Sequence, residues 1–244
     1  MKFAVLGGTG LIGSKIVKAL TAAGHEALPH ARSTGVDLLT GAGLAPALAG
    51  ADAVVDATQS PTADDASADF FRVATGNLLT AAEHAGVRHA VLVSIVGVDQ
   101  VPDLGYYRAK VVQEELYKTG PVPFSIVRTT QFFEYLAEII SWTGDQNAVR
   151  LPPTLLQPVA ADDAARTIAD IAAGTPLHTI RNVAGPDVIA LDDIGRLSLA
   201  ARGDNRALST DPTAGPFAVA PDHTLTGQDG ALICPTRYGD WLTT

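Results

Sequence analysis

The chain has 244 residues, 47% hydrophobic and 18% charged, with a formal net charge of −9. At roughly 100–200 residues per domain this describes one folded domain, or a domain with a small lobe, and it excludes a disordered chain or a coiled coil. The acidic balance argues against nucleic acid as a partner, and the single cysteine, Cys234, allows no internal disulfide, which points to a reducing cytoplasm.

In chain order, short apolar runs alternate with helical patterns, the signature of a parallel sheet covered by helices. Lys2 to Leu6 reads as a first strand and Leu11 to Ala23 as a helix, with Ile12, Ile16, Val17 and Leu20 on one stripe. Met1 to Leu6 runs straight into Gly7-Gly8, so no signal peptide is expected. His25 to His30 is a second strand, and Val36 to Leu38 a short third one after only four residues, so a crossover helix is expected to be missing here. Leu44 to Leu48 is a short helix, Ala53 to Ala57 a strand, and Asp65 to Ala85 a helix. Ala90 to Val96 is a strand within the longest apolar run, about half of what a bilayer span requires. Gly105 to Lys118 is a helix, Phe124 to Val127 a strand and Phe132 to Ser141 a helix. Asp162-Asp163 caps a helix ending near Ala173, His178 to Val183 is a last strand, and Asp192-Asp193 caps Ile194 to Ala201. The tail beyond Arg206 is rich in Pro and Gly, with a last turn of helix at Tyr238 to Leu242.

The first strand ends in Gly7-Gly8-Thr9-Gly10-Leu11-Ile12-Gly13 and opens a helix. That spacing suits a tight turn, backbone approach to a pyrophosphate and close helix–strand packing, with free helix N–H groups facing the phosphates. A P-loop is rejected because Ser14-Lys15 reverses the required order. After the second strand there is no acidic residue to hold a ribose 2′-hydroxyl; Arg32, with Ser33 and Thr34, suits a 2′-phosphate, so NADP(H) is expected over NAD(H). Asp37 is either an acceptor for the adenine amino group or a turn residue. The six histidines show no metal-ligand spacing, and no metal is expected.

Tyr106 and Lys110 stand four apart on a helix and so share a face. A nearby ammonium favours tyrosinate and makes the phenol a usable acid/base. Ser94, near the end of the preceding strand, is placed to bind a substrate carbonyl beside it.

With these motifs, and with Thr75-Gly76-Asn77-Leu78-Leu79, Gly86 to Ser94 and Phe124 to Phe132, the chain resembles the short-chain dehydrogenase/reductase superfamily in its atypical NAD(P)H-binding, NmrA-like branch. The resemblance covers roughly residues 1 to 185. It implies a Rossmann-type doubly wound parallel sheet, with NAD(P)(H) over the strand C-terminal ends. It assigns Tyr106 as acid/base, Lys110 as ribose and tyrosine partner, and Ser94 as carbonyl binder. Cofactor contacts are expected from Gly7, Thr9, Gly10, Leu11, Ile12, Gly13, Arg32, Ser33, Thr34, Asp37, Thr58, Lys110 and Thr129. Gln59, Gln131, Phe132, Phe133 and Gln157 are expected at a substrate pocket. Two features depart from the family pattern: the Asn that members place in the helix before the fifth strand has no counterpart at Phe70-Phe71-Arg72-Val73, where Asn77 matches a structural Asn instead, and the missing second helix shortens the adenine-side wall.

The expected organisation is a dinucleotide-binding core at 1–150 and a smaller C-terminal lobe at 151–244 that returns a strand at about 178–184. The expected function is NADPH-dependent reduction of a carbonyl, imine or quinone-like small molecule by a cytoplasmic monomer or homodimer. The alternatives are an NADP(H)-sensing regulator of NmrA type and an epimerase or dehydratase.

Overall fold

The computed structural model describes residues 1–243. The chain opens with β1 (Lys2–Leu6), α1 (Leu11–Ala22), β2 (Glu26–His30), α2 (Leu44–Leu48), β3 (Ala53–Asp56) and α3 (Ala66–His84). It continues through β4 (His89–Ile95), α4 (Gly105–Thr119), β5 (Phe124–Thr129), α5 (Phe133–Ser141), β6 (Ala148–Leu151), β7 (Leu155–Leu156) and α6 (Ala161–Ala173). The last elements are β8 (Ile180–Ala184), β9 (Ile189–Ala190), α7 (Leu191–Ala201), β10 (Ala207–Thr210), β11 (Leu232–Ile233) and α8 (Tyr238–Trp241).

Seven strands form one sheet in the order β11-β8-β5-β4-β3-β1-β2. β1 pairs in parallel with β2 on one side and β3 on the other. The chain therefore reverses its direction of winding at β1, which makes the C-terminal ends of β1 and β3 the topological switch point where open sheets bind ligands. This is the Rossmann-type α/β fold. Its central strands are apolar throughout because both faces are covered: Phe3 to Leu6, Val54 and Val55 are all at most 1% exposed. Helix α1 buries the expected stripe of Ile12, Ile16 and Leu20, and α3 buries Phe71, Ala74, Leu78 and Ala82.

The expected third strand at Val36 to Leu38 does not form. The segment is a loop whose apolar side chains still join the core, Val36 among them. Its ends close on each other: Asp37 N–H donates to the Ala42 carbonyl, and a Cβ on Gly43 would lie 2.2 Å from the Gly35 carbonyl oxygen. Asn77 from α3 donates to the carbonyls of Leu38 and Leu39 at 2.8 and 3.1 Å. Those carbonyls accept from a side chain instead of a neighbouring strand. The β2-to-β3 crossover thus keeps a helix, the five-residue α2, and none is missing.

The chain divides into two compact units, residues 1–128 with 165–181, and residues 129–164 with 182 onward. In the second unit β6 pairs with β10, β7 with β9, and Phe133 packs against Tyr238 and Trp241 with ring centroids 5.0 and 5.6 Å apart. These two- and four-residue strands carry too little pattern to be expected from sequence. Among the described residues, no helix is long and apolar enough to cross a membrane.

The glycine turn fixes how α1 sits on the sheet. A Cβ on Gly13 would stand 2.1 Å from the Gly7 carbonyl oxygen, whereas one on Gly10 meets that oxygen at 3.3 Å and nothing else. Gly13→Ala is therefore expected to lower stability by about 2–3 kcal/mol by forcing helix from turn, and Gly10→Ala by less than about 1 kcal/mol, both read by urea unfolding. Equal effects would contradict this packing.

Candidate functional site

At the switch point lies a cavity of ≈ 230 Å³. Gly7 from the glycine turn, His30 and Arg32 from the end of β2, Asp37 and Leu39 from the loop, and Thr58 and Gln59 beyond β3 line it. Five of the residues expected from the sequence therefore meet here: Gly7, Arg32, Asp37, Thr58 and Gln59. Gly7 has φ +70°, and a Cβ on it would lie 2.5 Å from the Ala57 carbonyl oxygen. The turn thus passes over the end of β3 closer than any side chain permits. Helix α1 begins at Leu11 after Gly10 at the N-cap, with no side-chain cap and no acid in its first turn, so its terminal N–H groups are open to an anion. Thr9 and Leu11 are exposed at this turn, while Ile12 and Gly13 are buried; the Ile12 side chain belongs to the core.

His30, which the sequence reading passed over, puts a buried Nε2 with no hydrogen-bond partner among the lining residues. Burial, and secondarily the charge of Lys2, holds its pKa below the ordinary histidine value. Arg32 lines the cavity and is exposed, and Ser33, next to it in the chain, is also exposed. Glu26 stands at the other end of β2, in register with Lys2 of β1, away from Arg32. Two expected donors are committed elsewhere. Thr34 Oγ1 accepts from Ala31 N–H at 2.8 Å and donates to the Ala31 carbonyl at 3.0 Å, and Thr58 Oγ1 donates to Asp56 Oδ1 at 2.5 Å. Asp37 Oδ1 accepts from Leu39 N–H at 2.8 Å, the turn role weighed for it, while still lining the cavity. An uncapped helix end, a glycine turn with no room for side chains and an orphaned imidazole nitrogen are what a dinucleotide's phosphates and ribose would use.

Beside the cavity, Phe70 lines the wall and packs edge-on to Phe71 at 5.3 Å. Phe71 in turn meets the Tyr106 ring edge-on at 6.0 Å and carries the Lys110 ammonium over its face at 5.1 Å. Tyr106 and Lys110 are thereby gathered round one aromatic ring, and Tyr106 keeps part of its surface exposed. Lys110 is 3% exposed; its Nζ donates to the Val93 carbonyl at 2.9 Å and to Gln113 Oε1 at 2.5 Å. Desolvation lowers its pKa to about 8, against the pull of Asp56 and Glu114.

Ser94 is placed differently from the expectation. It is 2% exposed and its hydroxyl donates to Glu114 Oε1 at 2.6 Å, within a buried cluster in which Arg128 bonds both Glu114 oxygens and Asp99. Of the expected substrate-pocket residues, Gln59 is exposed at the cavity. The other four lie in the second unit, as does Thr129, which is 4% exposed. Phe133 is 1% exposed and is core. Gln157 has its amide engaged, donating to the Gly185 carbonyl at 2.7 Å and accepting from Gly227 N–H at 2.8 Å. Phe132 is half-buried and bridges to Val159. Gln131 is 9% exposed, and its side-chain Nε2 and Oε1 have no hydrogen-bond partner.

Residues 7–173 match the family model described as NAD(P)H-binding. The chain belongs to that family. The solved structures that share its fold include an epimerase and a reductase. No curated protein matches the chain. Among solved structures, MoeE5 in complex with UDP-glucose and NAD is 17% identical over 100% of this chain and 97% of that one, with a TM-score of 0.78. The NADPH-dependent quinone oxidoreductase QOR2 of Escherichia coli, complexed with NADPH, is 15% identical over 99% and 98%, with a TM-score of 0.70. The triphenylmethane reductase of Citrobacter sp. is 15% identical over 86% and 79%, with a TM-score of 0.65. At these identities the likeness is one of fold.

The buried amine has a consequence for stability. The unfolded chain binds the Lys110 proton at the ordinary 10.5, the folded chain at about 8. Charging it therefore costs folding energy, fully below about pH 8, and the cost is relieved as pH rises toward 10.5. The cost is on the order of 3 kcal/mol. The stability of the natural chain relative to Lys110→Met should rise between about pH 8 and 10 in urea unfolding; a flat difference would contradict burial of the ammonium.

Proposed function

We propose that the protein is an NADPH-dependent oxidoreductase acting on a carbonyl, imine or quinone-like carbon of a small molecule. The observation that carries the reading is the grouping of Tyr106 and Lys110 around Phe71, one ring away from the cavity wall at Phe70. The backbone of Gly7, Thr9, Gly10, Leu11, Ile12 and Gly13, with the open end of α1, holds the pyrophosphate. Arg32, with Ser33 beside it, holds the 2′-phosphate, and the absence of an acid at the end of β2 supports NADP(H) over NAD(H). When bound, the reduced nicotinamide supplies a hydride. Tyr106 delivers the proton to the developing alkoxide, amide or phenolate, and Lys110, protonated at neutral pH, favours its phenolate form afterwards and holds the ribose. Ser94 is left out of this assignment because its hydroxyl is bonded to Glu114.

The same placement of Ser94 favours a second reading, an NADP(H)-sensing regulator without turnover. The sugar-nucleotide epimerase alternative draws on the MoeE5 likeness, which is one of fold alone. Quinones and conjugated dyes come first in a substrate screen, since the neighbours include a quinone oxidoreductase and a triphenylmethane reductase. The test is NADPH oxidation across quinones, carbonyls and imines by the natural chain and Tyr106→Phe. Turnover should fall at least about 100-fold in the variant with NADPH affinity within twofold. Undiminished turnover would remove Tyr106 from the mechanism, and tight NADPH binding with no turnover on any class would favour the sensor.

A further inference from the structure

Lys110 sits on a four-carbon stem with free rotation, and the backbone that carries it does not fix where its ammonium points. Groups from three elements, its own helix among them, do. β4 contributes the Val93 carbonyl, α3 the face of Phe71, and α4 the amide of Gln113, whose side chain is fully buried. The charged groups acting on it are Asp56 from β3 and Glu114 from α4. Glu114 is already paired with Arg128 and Ser94.

The orientation of Gln113 is dictated by chemistry on both sides. An ammonium only donates and a carboxylate only accepts, so an amide between them can point one way. Its Oε1 takes the Lys110 ammonium at 2.5 Å, and its Nε2 donates to Asp56 Oδ2 at 3.0 Å. Turned over, it would set N–H against ammonium and oxygen against carboxylate. Asp56 is itself held: it is 1% exposed, Oδ2 also accepts from Tyr117 Oη at 3.0 Å, and Oδ1 accepts from Thr58 N–H and Oγ1 at 3.0 and 2.5 Å.

We propose that Gln113 is the positioning residue for Lys110: braced by the buried Asp56 carboxylate, its amide oxygen fixes where the Lys110 ammonium sits. A side chain that merely filled space between β3 and α4 would need no polar atoms. The catalytic meaning of a fixed Lys110 rests on the function proposed above; the arrangement itself does not.

The experiment needs neither cofactor nor substrate. The chain has five lysines, Lys2, Lys15, Lys18, Lys110 and Lys118. Their ε-carbons are labelled with ¹³C and titrated by NMR, with Lys110→Arg identifying the Lys110 signal. Gln113→Leu removes the acceptor at similar size and should weaken proton binding by Lys110 about tenfold or more, since a hydrogen bond to a charged group is lost. Gln113→Glu restores an oxygen acceptor and should return the proton affinity to the natural value or above it. The other four signals should not move in either variant. A Lys110 titration unmoved in folded Gln113→Leu would overturn the proposal. Should that variant not fold, Gln113→Glu and Asp56→Asn carry the test: the first should strengthen proton binding, the second weaken it, and no change in both would equally overturn it. Failure of NADPH to bind would remove the proposed function, and full turnover by Tyr106→Phe would remove Tyr106 from it; either leaves this result standing.

Discussion

Where β1 ends, the chain turns so close to β3 that a side chain on Gly7 would press into the Ala57 carbonyl, and one on Gly13 into the Gly7 carbonyl. The rest of the site depends on that closeness. It brings the first turn of α1 over the sheet edge with its amides uncapped, and it places the ends of β2 and β3 on either side of one cavity. Glycine weakens a turn by its own conformational freedom, so a run of glycines here costs stability unless the tight backbone geometry is itself of use. Anion binding at the end of a switch-point strand is such a use, and it agrees with membership of an NAD(P)H-binding family.

A second constraint is the buried Asp56 carboxylate. It closes the β3 end by taking the backbone and hydroxyl of Thr58, a lining residue of the cavity, and with its other oxygen it takes Gln113 and Tyr117 from α4. Burying a carboxylate is costly unless its lone pairs are filled, and four donors fill them. The tyrosine pays electrostatically for its part: burial first, then the neighbouring carboxylate, push the Tyr117 hydroxyl well above its ordinary pKa, so it stays a donor. One side chain thus joins the wall of the switch-point cavity, through Gln113, to the lysine beside the proposed acid.

Much of this was legible in the sequence, and what was not has identifiable causes. The strands at Phe3, Val54 and Val91 are apolar on both faces and flanked by helical stripes, which is a strong signal. Val36 to Leu38 carries the same local signal but folds as a loop, because the Ala31 and Ala42 carbonyls accept from Val36 and Asp37 N–H and the amide of Asn77 donates to the Leu38 and Leu39 carbonyls, without a partner strand. The glycine turn and the Tyr106–Lys110 pair follow from short spacings. Ser94 looked available because it ends a strand next to that pair; its commitment to Glu114 is a contact across twenty residues that spacing does not show. Asp56 and Gln113 are fifty-seven residues apart and meet only once β3 lies beside α4. The one local hint was an acid closing an otherwise apolar strand. His30 gave no hint at all, since its orphaned nitrogen has meaning only when the cavity exists.

The central claim is that the cavity at the switch point is an NADP(H) site with Arg32 as the reader of the 2′-phosphate. Fluorescence titration of the natural chain and of Arg32→Ala with NADPH and NADH tests it most directly. The account predicts tighter binding of NADPH than NADH, with the preference reduced about tenfold or more in Arg32→Ala while NADH affinity stays nearly constant, as loss of a charge-assisted phosphate contact requires. Equal affinities for the two cofactors in the natural chain, or a preference that survives Arg32→Ala, would contradict it.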